Sequence, residues 1–177
     1  ATGKFDLNAS QDVSNQQGLL ASQQILTAQA QNLNNQKGQI QSEQSDVSLN
    51  IAHSLNNQAG SIQSGNTLNI ATAQLNNQAG QLVAGTDSQV NTAQLNNQSG
   101  TIYSKKQLDV NVTGSADNSA GILAADQNLN LNAQQLLNTA GQIRSENADL
   151  NVKSTQDIQN NAGLISAAKN LDRKSTR

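Results

Sequence analysis

Apolar residues recur along this chain at two spacings at once. Over short stretches they alternate with polar ones. Ile62 and Ser64 share one face and Ser61 and Gln63 the other, and Leu68 and Ile70 alternate with Thr67 and Asn69. A period of two is that of a half-buried β-strand. Gly65-Asn66 between the two runs is a turn signal, and after Ala71-Thr72-Ala73 the alternation resumes with Leu75 and Asn77. Over longer distances the whole block returns every 20 to 22 residues. Its register glycines are Gly18, Gly38, Gly60, Gly80, Gly100, Gly121, Gly141 and Gly163. Three residues before each stands an asparagine: Asn15, Asn35, Asn57, Asn77, Asn97, Asn118, Asn138 and Asn160. Two residues after each stands Leu20, Ile40, Ile62, Leu82, Ile102, Leu123, Ile143 or Ile165, and a Ser or Ala follows two positions later.

A fixed period of this length predicts a solenoid, in which each repeat is one coil and only stacking buries a core. Helix-pair repeats need roughly 33 residues or more, and the alternation contradicts a 3.6-residue period. The closely spaced leucines of leucine-rich repeats are missing. What remains is an all-β fold, a parallel β-helix of about eight coils, spanning residues 1–171. With strands stacked about 4.8 Å apart it would be a rod of roughly 40 Å. Residues 172–177 read as a charged tail, appended to the repeats or cut from a longer chain.

The repeated Asn and Gly have structural roles in this reading. Glycine takes positive φ at a tight corner without a steric cost. The asparagines stack there as a ladder of amides, each satisfying its neighbours. Departures from register mark the surface. In the coils opening at Gly38 and Gly141 one residue is added before the second strand and one after it, and both added segments are acidic: Glu43 and Asp46, then Glu146 and Asp149. The Gly100 coil gains one residue near Thr113-Gly114-Ser115. These segments predict bulges.

Composition then narrows the chemistry. Asn and Gln number 26 each among 177 residues, while Phe5 and Tyr103 are the only aromatics. Such a composition suggests disorder when unpatterned, but amides suit stacked strands. A net charge of −2 gives no electrostatic reason to expect nucleic acid. The absence of cysteine suits a chain exported unfolded. A hydrolase or lyase needs convergent acids or bases, and no carboxylate pair recurs from coil to coil. His53 is the single histidine, which leaves no His-centred triad or His-rich metal site. No catalytic, cofactor-binding or metal-ligating residue is expected.

The units Leu55-Asn56-Asn57-Gln58-Ala59-Gly60-Ser61-Ile62, Leu75-Asn76-Asn77-Gln78-Ala79-Gly80-Gln81-Leu82 and Leu95-Asn96-Asn97-Gln98-Ser99-Gly100-Thr101-Ile102 resemble the tandem repeats of filamentous haemagglutinins. Those repeats also form the shafts of contact-dependent growth inhibition proteins, the large exoproteins of two-partner secretion. The resemblance runs from about residue 5 to about residue 171, and departs at Val13-Ser14, Ala116-Asp117 and Leu136-Leu137. It implies a right-handed β-helix, secreted through a partner outer-membrane transporter and displayed on a Gram-negative cell. The transporter would act on a domain that has no match in these residues.

The expected function is therefore a rigid spacer in a surface fibre, belonging either to an adhesin or to a toxin-delivery protein. The alternative is a module that binds a host-cell or target-bacterium receptor, or a glycan, through one face or the bulged coils. Its candidate contacts are Tyr103, Glu43, Asp46, Glu146 and Asp149. Unpaired strand edges at the ends of the repeats add an expectation of end-to-end self-association, favouring the N-terminal end because charged residues follow Leu171.

Overall fold

In the computed structural model, which describes residues 1–175, the chain winds into a parallel β-solenoid, and every regular element among these residues is a strand. Each coil contributes a four-residue strand to an eight-stranded sheet, from Leu19–Ser22 through Ser61–Ser64 and Thr101–Ser104 to Leu164–Ala167. The remainder of each coil builds a 13-stranded sheet. Its middle members are single long strands, Leu26–Asn34, Val47–Asn56, Leu68–Asn76 and Ser88–Asn96. In later coils that run is divided, as in Leu108–Val112 and Ser115–Asp117. All pairings are parallel because the chain passes each position in the same direction, one coil further on.

The alternation becomes stacked columns. Ile40, Ile62, Leu82, Ile102, Leu123 and Ile143 pair in order and are all at 0% exposure. Leu49, Ile70, Val90, Val110, Leu131 and Val152 make a second fully buried column. Burying one such side chain stabilises by about 1.5–3 kcal/mol. No coil closes a core by itself, so this stabilisation arises between coils.

Inserted residues do not break the columns. Val47 stays level with Leu26 and Leu68, and Leu150 with Leu129, the extra residue being absorbed at the preceding corner. Later in the Val47–Asn56 strand the register shifts between Ile51 and Ser54, so that exposed Ala52 and His53 bulge outward. Thr113 and Gly114 form the break between Leu108–Val112 and Ser115–Asp117.

The solenoid runs further than a boundary at residue 171 implies. Leu171–Ser175 is a strand pairing in parallel with Leu150–Ser154, and Arg173 stands level with Val152. Ladder hydrogen bonds need only backbone groups, so a charged side chain does not end a strand whose partner edge is available. Of the expected tail, Thr176 and Arg177 lie outside the described residues.

One inward position is at odds with its column. In the series Leu26, Val47, Leu68, Ser88, Leu108, Leu129, Leu150, Ser88 is 2% exposed and its hydroxyl has no hydrogen-bond partner. An unpaired buried hydroxyl costs about 1–3 kcal/mol. Ser88→Val restores the column's chemistry and should raise unfolding stability by about 1–2 kcal/mol, seen as a higher urea midpoint at unchanged slope. A lower midpoint would mean that the space around Ser88 has already closed.

Candidate functional site

The most elaborate arrangement of polar groups is the corner that joins the 13-stranded sheet back to the eight-stranded one. In the fourth coil Asn77-Gln78-Ala79-Gly80 forms a tight turn, with Gly80 N donating to Asn77 O at 3.0 Å. The left-handed residue is Ala79, with φ of 52°, and no glycine of the chain has positive φ. The same holds at Gln17, Lys37, Ala59, Ser99, Ala120, Ala140 and Ala162, each directly before its register glycine. The glycines therefore do not serve the turn's φ as expected; close approach requires them. A Cβ on Gly80 would lie 2.7 Å from Asn77 Oδ1 and closer still to the carbonyl oxygen of Asn57 in the preceding coil. Gly38, Gly60, Gly100, Gly121, Gly141 and Gly163 meet the same two kinds of oxygen.

That close approach leaves room for a buried amide column. Asn57 Nδ2 donates to Asn77 Oδ1 at 2.7 Å, and Asn77 Nδ2 to Asn97 Oδ1 at 2.7 Å. The series runs from Asn15 through Asn35, Asn57, Asn77, Asn97, Asn118 and Asn138 to Asn160, every link at 2.6–2.7 Å. Asn35, Asn57, Asn77, Asn97, Asn118 and Asn138 are at 0% exposure. Their Nδ2 groups also contact two backbone carbonyls, for Asn77 those of Gly80 and Thr101. All donors point towards the C-terminus. Beside them a half-buried column, Asn34, Asn56 and Asn76, points its donors the other way, while each Oδ1 accepts the N–H two residues on. A third column, Gln16, Gln36, Gln58 and Gln78, again donates towards the C-terminus. The opposed directions limit any net dipole along the rod.

The other sequence-derived candidates are scattered. Glu43 and Asp46 lie at one corner of the second coil and Glu146 and Asp149 at the same corner of the seventh, about 24 Å apart along the axis at about 4.8 Å per coil. Asp46 Oδ1 accepts from Asn66 Nδ2 and Thr67 N, and Asp149 Oδ1 from Asn170 N and Nδ2, so both carboxylates tie their corner to the next coil. Tyr103 faces outward from the eight-stranded sheet, and its hydroxyl donates to Asp126 Oδ1 at 2.8 Å. That bond, then burial, then the charges of Asp126 and Glu146 raise the tyrosine pKa above its ordinary value. Phe5 instead packs against the core. Asp126 joins Tyr103 without having been expected. Aligning the coils on their glycines places Tyr103 level with Ala124, and Asp126, two residues beyond Ala124, could have been found from that alignment. Among the described residues no group of three or more His, Asp or Glu side chains is placed to hold a metal ion.

A family model described as haemagglutinin repeat matches residues 1–52, 45–111 and 103–177, which together span the chain. The chain belongs to the haemagglutinin repeat family. Comparison with curated proteins and with solved structures gave no match. Haemagglutinin repeat proteins are secreted surface adhesins associated with two-partner secretion, and their β-solenoid is a structural, adhesin-type fold.

The geometry of the repeat corner separates two pairs of variants. Gly80→Ala should destabilise by more than about 3 kcal/mol, because the opposing atoms are backbone and a buried amide that cannot move aside. Ala79→Gly, one residue earlier, should stabilise by up to about 1 kcal/mol by relieving the left-handed strain. The reverse order in chemical denaturation would restore the φ explanation for the glycine.

Asn77→Ala removes two column bonds and strands Asn97 Oδ1 and one Asn57 proton, at about 1–3 kcal/mol each. Asn76→Ala removes one bond of the half-buried column and the bond from Gln78 N, and because Asn76 is only half buried it should cost about 1 kcal/mol. Equal shifts in thermal unfolding would contradict the inward assignment of Asn77.

Proposed function

We propose that this chain is a shaft segment of a secreted fibre on a Gram-negative cell, exported through a partner outer-membrane transporter and acting as a rigid spacer. The observation that carries the reading is the unbroken asparagine column, Asn15 to Asn160, in which every coil is bonded to the next by the same amide link. When each coil contacts only its neighbours, length grows in proportion to coil number and folding can propagate from one end. Export as an unfolded thread followed by coil-by-coil folding suits such a chain, and the lack of cysteine leaves no disulfide to block it. Adhesin shafts and toxin-delivery shafts share this requirement.

A spacer is defined by length, not by the identity of its coils. In the surface-displayed fibre, deleting residues 61–100 removes two whole coils and should shorten the rod by about 10 Å, measured by electron microscopy, with folding intact. Refilling the gap with a second copy of residues 101–141 should restore length and cell attachment together. Attachment that returns with no foreign coils, only with residues 61–100 themselves, would show that these coils recognise something and would end the spacer reading.

A further inference from the structure

We propose that a groove running along the rod, on the outer face of the 13-stranded sheet, binds a flat, elongated aromatic cation beside the carboxylate of Asp117. The inference stands apart from the spacer reading, since the rod has the same length with or without such a ligand.

Two rows of outward side chains make its walls. In one, Ser54, Gln74, Gln94 and Ser115 follow each other from coil to coil. The other continues the half-buried asparagine column through Asn76 and Asn96 to Asp117 and Leu137. Leu75 and Leu95, whose side chains point inward, form the floor. The cavity measures about 410 Å³, a size usual for small-molecule sites. From Ser54 to Leu137 it crosses five coils, a length of about 19 Å at about 4.8 Å per step. The rows stand two residues apart on the same strands, about 6.6 Å. A flat ring entering edge-first therefore meets a row on each face near van der Waals distance. Asn76 is already bonded to Asn56 and Gln78 N, so this part of the wall is held before a ligand arrives. A peptide strand fits less well. Its side chains repeat about every 6.6 Å and the coils about every 4.8 Å, so the two fall out of step within two coils. A rigid aromatic system has no repeat to mismatch.

Charge sets the sign of the ligand. Asp117 takes the position that asparagine holds in the first four coils, as Asn34, Asn56, Asn76 and Asn96. It is the only charged residue lining the groove, and it joins none of the ion pairs among the described residues. Its Oδ1 accepts from Ser119 N at 2.9 Å and its Oδ2 from Gln98 Nε2 at 2.6 Å. The carboxylate is thus fixed in place while its charge faces no cation. One coil further on, the row turns apolar with half-buried Leu137. A carboxylate between amide walls and an apolar end matches a cation whose charge is spread over an aromatic body, since orientation then comes from one polar group and contact from the rest.

The probe is thioflavin T, a rod-shaped benzothiazolium cation that emits strongly once its two ring systems cannot rotate. Titrated into the intact chain, it should give a saturable rise in emission with one site per chain. Asp117→Asn installs the residue of the earlier coils and so keeps the fold, as an unchanged melting curve would verify. It should weaken binding at least about fivefold. Asp109→Asn removes the same charge from the same sheet outside the groove, and should change the affinity less than about twofold. The absence of a saturable response overturns the proposal, as does equal affinity in Asp117→Asn. Equal weakening by the two variants would mean general attraction to an acidic surface, and overturns it too.

Discussion

Everything in this solenoid hangs on the buried side-chain amide at the repeat corner. An asparagine at 0% exposure needs partners for its oxygen and its two N–H bonds, and leaving one unpaired costs about 1–3 kcal/mol. Here the only group that completes the set is another asparagine one coil away at 2.7 Å. That condition is self-propagating: each copy requires the next at the same position in its own coil. It also explains where coil length is free to vary. From the asparagine to the small residue four beyond the glycine, the spacing is identical in all eight copies, and every extra residue falls elsewhere. A slip of one residue inside that segment would turn the amide to solvent and an outward side chain into the core.

Two adjacent residues of the corner compete for glycine, and magnitudes decide which receives it. The residue with φ near 53° would be relieved by glycine, but an alanine there is strained by only about 1–2 kcal/mol. The residue after it would press a Cβ against a carbonyl oxygen of the previous coil and its own corner amide. Relieving that overlap would break the column and the ladder together. Strain at the first position is tolerable, partly because its N–H remains bonded to the next coil, as Ala79 N is to Gln98 O at 2.9 Å. The second position has no alternative. The left-handed side chains point into water, which is why Gln, Lys, Ser and Ala all occur there.

Much of the fold was legible in the residues because a solenoid states its rules repeatedly. Period-two alternation inside a 20- to 22-residue period left parallel coils as the consistent solution, and the added residues before Val47 and Leu150 located the irregular corners. The reason for the glycine was not legible, since turn-related φ and close approach predict the same residue and only the position of the neighbouring coil separates them. The strand Leu171–Ser175 was missed because its inward position holds Arg173, and side-chain polarity is an unreliable sign where backbone pairing decides. The surface cluster around Tyr103 was half visible. The tyrosine itself stood out, but Asp126, which accepts from its hydroxyl, is 23 residues away in sequence and meets it only through the coil stacking.

A shaft must also avoid sticking to other shafts, and the corner contributes here as well. A long exposed surface of β-strands invites aggregation through unpaired groups. In this chain the outward amides are largely paired with one another: the Gln16 to Gln78 column and the Asn34 to Asn76 column are bonded from coil to coil along the rod. Side chains already bonded within the molecule have little to gain from an adjacent rod. The surface is therefore polar chiefly through paired amides, and its charges nearly balance, with 10 Lys and Arg against 12 Asp and Glu.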